Sequence, residues 1–140
     1  MQYISNELPN FWKEGKIGEH LKHQLIKDVI IAKKYGFSCV VVHVDGKYSP
    51  IGEKRIKEVL DFCEKVQIPL AIENTHSQKL FLDIFNKISS PMLKFCYDSG
   101  HNNAFDKDFD YSKKYFDKLI ALHLHDNNGT ADQHTLNKFG

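Results

Sequence analysis

The feature that most constrains this chain is a repeat in its polar residues. Four short apolar runs each end on a side chain that can bind a metal or move a proton. Cys39-Val40-Val41-Val42 leads into His43, Leu70-Ala71-Ile72 into Glu73, Leu93 to Tyr97 into Asp98, and Leu119 to Leu122 into His123. The steps between these residues are 30, 25 and 25, one strand and one helix each. The intervening segments have helical period. Over residues 16–35, Ile17, Leu21, Leu25, Val29 and Ala32 form one stripe, with Ile26 and Ile30 beside it and Gly36 as a C-cap. Residues 53–66 place Ile56, Val59, Leu60, Cys63 and Val66 on one side. Ser77 stands where it can cap a third helix, with the stripe Leu80, Phe81, Ile84, Phe85 and Ile88, and residues 111–118 give a weaker, short helix. Strands are expected at 39–44, 70–73, 93–97 and 119–125. The first 15 residues and the last dozen read as loops. This alternation predicts an α/β fold with four parallel strands and right-handed crossovers, in a single domain over 1–140.

In a parallel sheet the C-terminal strand ends share one edge, so His43, Glu73, Asp98 and His123 converge. Alternation along each strand supports this, because residues 41 and 43, 71 and 73, 96 and 98, and 121, 123 and 125 share a face. Taken singly, a histidine at a strand end is most often a hydrogen-bonded structural residue, and a carboxylate there is often the N-cap of the next helix. Four in phase point instead to a metal site. His101 follows Asp98 by three residues, and Asp132 and His134 lie two apart in the loop after the fourth strand. A set of His, Glu and Asp suits zinc or manganese first, then cobalt, iron or magnesium. His20 and His23 read as solvated, His76 as a rim or capping residue, and His125 as a support or substrate contact. Cys96 reads as a core thiol.

The chain balances 19 basic against 18 acidic residues, which excludes a strongly basic nucleic-acid module. Its only arginine, Arg55, lies on a predicted helix, so nucleic acid is not an expected partner. Apolar residues at 41% suffice for a core, and the apolar runs are far shorter than the ~20 residues of a membrane helix. Met1 to Asn10 lacks the pattern of a signal peptide, and Cys39, Cys63 and Cys96 read as free thiols. Together these predict a cytoplasmic protein that does not enter a membrane.

Val42-His43, Ile72-Glu73-Asn74, Asp98-Ser99-Gly100-His101 and His123-Leu124-His125-Asp126-Asn127, followed by Asp132-Gln133-His134, resemble the xylose-isomerase-like TIM barrels. That superfamily includes sugar isomerases and epimerases and the family 2 AP endonucleases. The resemblance runs from about residue 16 to the C-terminus and implies a partial (β/α)8 barrel, with strands resembling the fourth to the seventh. It implies that Glu73, Asp98 and His123 are metal ligands and that Glu73 also moves a proton. In the sugar enzymes a last-strand glutamate completes the set. His43, His101, Asp132 and His134 match further ligands of a multi-zinc arrangement, with sugar contact as an alternative for His101 and His134. A whole barrel needs about 250 residues, so the expectation is a barrel fragment whose activity depends on missing strands.

The implied function is a metal-dependent isomerase or epimerase acting on a sugar or sugar phosphate. The alternatives are an AP-endonuclease-like phosphodiesterase and a non-catalytic metal-binding fragment. Two open sheet edges further predict a homodimer or a partner chain that completes the barrel.

Overall fold

The computed structural model describes residues 5–135. A 3-10 helix, Ser5–Trp12, leads into α1 (Lys16–Tyr35), β1 (Val40–Val42), α2 (Pro50–Val66), β2 (Leu70–Glu73) and α3 (Gln78–Lys87). β3 (Leu93–Asp98), α4 (Ser99–Phe105), α5 (Tyr111–Lys114), a 3-10 turn Phe116–Lys118 and β4 (Leu119–His123) follow. The four strands form one parallel sheet in the order β1-β2-β3-β4. The register sets Glu73 beside Cys96 and Asp98 beside His123, with an irregularity between Phe95 and Cys96. The expected α/β alternation is therefore present.

Local chemistry explains most boundaries. Gly36 takes the left-handed conformation (φ 74°) and its N–H meets the carbonyls of Ala32 and Lys33, closing α1. Ser49 caps α2, its hydroxyl accepting the Gly52 N–H at 3.2 Å, with Pro50 in the first turn. α2 thus starts three residues before the expected residue 53. Ser77 does not cap α3: its hydroxyl donates to Asp45 Oδ1 at 2.6 Å instead. Two strands are shorter than expected, at 40–42 and 119–123. The segment 111–118 divides into α5 and the 3-10 turn, and α4 forms in a stretch with no helical stripe. The first 15 residues are not all loop, because the 3-10 helix buries Phe11 and Trp12. Of the last dozen, residues 129–135 are loop with one antiparallel bridge, Asp126 to Thr135, and 136–140 lie outside the described residues.

The core lies between the helices and one face of the sheet. Val29, Ile56, Val59, Leu70, Ile72, Ile84, Leu93 and Phe95 are all buried there. Phe81 anchors an aromatic cluster, with Phe85, Phe95, Tyr111 and Tyr115 at ring separations of 4.6 to 5.4 Å. On β4 the matching face is open: Leu122 is 55% and Leu124 just beyond it 64% exposed. Among the described residues no helix is long and apolar enough to cross a membrane.

Arg55, an ordinary helix residue by sequence, is 2% exposed. Its guanidinium donates to the carbonyls of Phe11 (2.6 Å), Lys13 (2.7 Å) and Gly15 (3.4 Å) and to the Glu19 carboxylate (2.8 Å). One side chain on α2 therefore ties down the stretch from Phe11 to Glu19. Gly18 leaves room for it, since a Cβ there would lie 2.2 Å from Nη1. Replacing Arg55 with Met should strip the donors from at least two inward carbonyls. The expected loss is about 3 kcal/mol, with no contribution counted for the half-exposed Glu19. A urea midpoint in Arg55→Met equal to that of the parent would contradict this account.

Candidate metal centre

The parallel register delivers the strand-end residues to one edge, as their spacing implies. Glu73 ends β2 and is 1% exposed. Its Oε1 lies 3.1 Å from His43 Nε2 and 3.1 Å from His101 Nδ1, and its Oε2 lies 2.9 Å from His123 Nδ1. None of these contacts has hydrogen-bond geometry, so both buried carboxylate oxygens lack a donor. A buried carboxylate without donors is costly. Ringed by imidazole nitrogens, it forms the kind of pocket that a divalent cation satisfies. Burial pushes the Glu73 carboxyl upward, but the imidazoles of His101 and His43 and the charge of His123 outweigh it and hold it at about 2. The residues thus fit the ion that the chemistry of the set implies.

Asp98 ends β3 and also caps α4, its Oδ1 accepting the His101 N–H at 2.7 Å. The capping role and the expected ligand role therefore fall on one residue. Its backbone is clamped by Asn74, whose Nδ2 donates to the Asp98 carbonyl at 2.9 Å and whose Oδ1 accepts the Asp98 N–H at 2.8 Å. Its carboxylate also meets His125 Nε2, 2.9 Å from Oδ1, and His123 Nδ1 lies 3.8 Å from Oδ2. Ser99 holds His125 in turn, its hydroxyl donating to the His125 carbonyl at 2.9 Å and accepting the His125 N–H at 3.2 Å. Gly100 is required for this packing, because a Cβ there would fall 1.9 Å from the His125 ring.

His101 is buried between two groups of acceptor oxygens. Its Nδ1 is 2.9 Å from the Asn74 carbonyl oxygen, which can only accept, so Nδ1 carries a proton. Its Nε2 faces Asp132 Oδ2 at 3.2 Å. Asp132 Oδ2 is also 3.0 Å from His134 Nε2, and Asp132 Oδ1 is 3.6 Å from His125 Nε2. The rings of His125 and His134 stack at 4.0 Å. This outer group rides on the loop after β4, which Asn127 pins by donating to the Gly100 carbonyl at 2.7 Å and accepting from Asn103 at 2.9 Å. Burial lowers the His101 pKa, but Glu73, Asp98 and Asp132 together raise it to about 9. The Asp132 carboxyl is raised by burial and lowered more by His101 and His134, for a net shift downward.

Three sets of side chains could hold an ion, each with donor atoms within 4.8 Å of one another. They are Glu73 with Asp98 and His101, Glu73 with Cys96 and His123, and His101 with His125, Asp132 and His134. Six of the seven expected ligands fall in these sets, in an inner cluster around Glu73 and an outer one around Asp132, and the seventh, His43, meets Glu73 outside them. His76 stays on the rim, 3.4 Å from Asp45 and edge-on to Phe105. Burial and the nearby Glu73 and Asp98 charges push the Cys96 thiol up to about 12, as suits a protonated core thiol. The clamping roles of Asn74, Ser99 and Gly100 escape a reading of the sequence. Their only signal there is adjacency to Glu73 and Asp98.

Residues 9–139 match the family described as xylose isomerase-like TIM barrel. The uncharacterized protein y4fM of Sinorhizobium fredii (strain NBRC 101917 / NGR234) is 39% identical over 133 aligned positions, covering 81% of this chain and 43% of its own length. The uncharacterized protein MJ1614 of Methanocaldococcus jannaschii is 29% identical over 87, covering 58% and 34%. This chain therefore spans less than half of the curated relatives it matches. Among solved structures, a D-tagatose 3-epimerase-like protein superposes with a TM-score of 0.80 at 20% identity, over 95% of this chain and 57% of that one. A xylose isomerase domain protein from Planctomyces limnophilus gives 0.64 at 13%, over 75% and 41%. At these identities the two structures establish the fold: four consecutive strand–helix units of a TIM barrel.

The Glu73–His101 contact predicts a pH dependence in the metal-free protein. Glu73 is lowered from 4.5, so its contribution is present above 4.5 and lost as pH falls towards about 2. His101 is raised from 6.5, so its contribution is complete below 6.5 and lost as pH rises through about 9. Stability from this pair should therefore peak between pH 4.5 and 6.5. Urea midpoints that stay level from mildly acidic pH to above 9, or that fall equally in His101→Gln, would show that the pair carries no such linkage.

Proposed function

Because the chain belongs to the xylose isomerase-like TIM barrel family, we propose that it carries the metal-binding portion of a divalent-metal-dependent isomerase or epimerase for a sugar or sugar phosphate. The observation that carries this reading is the buried, donorless Glu73 carboxylate set among His43, His101 and His123. Glu73, Asp98 and His123 would hold the ion, with His43 on the exposed side. Zinc and manganese are the first candidates for such a set. When bound, the ion would polarise a carbonyl or hydroxyl oxygen of the sugar.

The protein's own contribution is placement. Asn74 clamps the Asp98 backbone and His125 meets its carboxylate, so the side chain is positioned before anything arrives. Glu73 is ionised at neutral pH and ready to accept a proton at Oε1 or Oε2. Its pKa of about 2 makes it a weak base, so we assign it more to ligation than to proton transfer. His43, 54% exposed, stands where a substrate would approach. The shared fold with a D-tagatose 3-epimerase-like protein makes a ketose the first substrate class to try. A closed barrel of this kind takes about 250 residues, so the four strands here would act within a larger barrel. Further chain, a second copy or a partner would complete it. A reducing, cytoplasmic setting is part of the same reading.

A second reading, metal-dependent phosphodiester cleavage, is favoured by the outer group of His101, His125, Asp132 and His134, which could hold a further ion. Arg55 weighs against it, because that guanidinium is spent on internal carbonyls and cannot meet a phosphate.

Elemental analysis should find a divalent ion in the purified protein, and Glu73→Gln or Asp98→Asn should weaken its binding roughly a hundredfold, at the upper end of what loss of a supporting partner alone costs. Metal content unchanged in both variants would refute the centre. Ketose turnover that depends on the ion supports the isomerase reading. Salt-sensitive DNA binding with cleavage at abasic sites would replace it with the second.

A further inference from the structure

Resting on that metal-centre reading, we propose that Cys96 is a soft donor to the same centre, so that a thiophilic ion binds through Glu73, Cys96 and His123 while a hard ion uses the oxygen-rich set with Asp98. Cys96 is paired in register with Glu73 across β2 and β3 and is fully buried. It lies two residues before Asp98 on the same face of β3, one step deeper along the strand. A carboxylate oxygen of Glu73, the Cys96 sulfur and a ring nitrogen of His123 all lie within 4.8 Å of one another. The second, independent observation is Glu73 itself: both its oxygens are buried and unpartnered. Glu73 thus belongs to two triads, one with Asp98 and His101 and one with sulfur.

The two triads differ in softness. Thiolate selects zinc and cadmium, whereas carboxylate oxygen suits manganese and magnesium. Coordination replaces the thiol proton, so a bound M2+ and Cys96–SH give an M–S bond and one proton released to solvent. An ion with little affinity for sulfur has no drive to displace that proton and stays on the oxygen donors.

The test loads the full chain separately with zinc, cadmium and manganese. Zinc-loaded protein should show a sulfur scatterer at about 2.3 Å by X-ray absorption, and cadmium-loaded protein a sulfur-to-metal charge-transfer band in the ultraviolet. Cys96→Ser should abolish both signals and weaken zinc by about tenfold or more, while manganese affinity stays at the parent value. Cys39→Ser and Cys63→Ser should keep both signals. Unchanged manganese binding also reports that Cys96→Ser is folded, and Cys96→Ala serves as a second variant. If manganese binds and zinc shows no sulfur shell, or if the shell survives in Cys96→Ser, the Cys96 assignment is overturned and the centre stands. If no ion binds the parent protein, the centre itself falls, and this assignment with it.

Discussion

The Glu73 carboxylate is the constraint around which the rest of the site is arranged. It is an anion almost fully removed from water with no hydrogen-bond donor of its own, and an isolated buried charge costs several kcal/mol. Its neighbours answer that cost with imidazoles on three different elements: His43 after β1, His101 on α4 and His123 at the end of β4. Without an ion, Glu73 and His101 favour each other's charged forms, which is why His101 rises while Glu73 falls. With an ion, the same geometry offers lone pairs. One arrangement thus has two ways to be neutral, and the sheet register makes both available.

Around that anion, single residues carry more than one task. Asp98 terminates a strand, starts a helix and aims a carboxylate. Asn74 follows Glu73 directly and locks the backbone of Asp98, so the two acidic residues are held in register by the side chain beside one of them. Far from the strand ends, Arg55 fastens the 3-10 segment through backbone carbonyls rather than through another side chain's packing. The Asn74 and Arg55 contacts join residues at least 24 positions apart.

That separation marks the limit of what a sequence can tell. The strands, the long helices and the convergence of His43, Glu73, Asp98 and His123 are legible because they follow from periods of 2 and 3.6 in a parallel fold. The 3-10 helix Ser5–Trp12 is not, because it is only eight residues long, contains Pro9 and carries just Leu8, Phe11 and Trp12 as apolar anchors. α4 is hidden for another reason: Ser-Gly-His-Asn-Asn-Ala-Phe has no apolar face, and the in-phase placement of its capping aspartate favours a ligand over a cap. Ser77 resembles a cap by residue type, yet Asp45, 32 positions away, offers its hydroxyl a better acceptor. The protonation of His101 Nδ1 follows from one carbonyl oxygen, that of Asn74, whose position only the fold supplies.

The plain strand order has a consequence in time. Each strand pairs with the one that precedes it in the chain, so nothing must be threaded between partners already formed. At ribosomal rates of roughly 5–20 residues per second, steps of 25 to 30 residues bring each new strand out about one to six seconds after the last. Helix formation and loop closure are far faster than that. The sheet can therefore grow by addition at one edge, as a nascent chain emerges. Glu73 is buried first, Asp98 arrives beside it, and His123 comes last. Until β4 docks, the carboxylate has only part of its ring of bases, so the proposed ion would be captured late in the life of the growing chain.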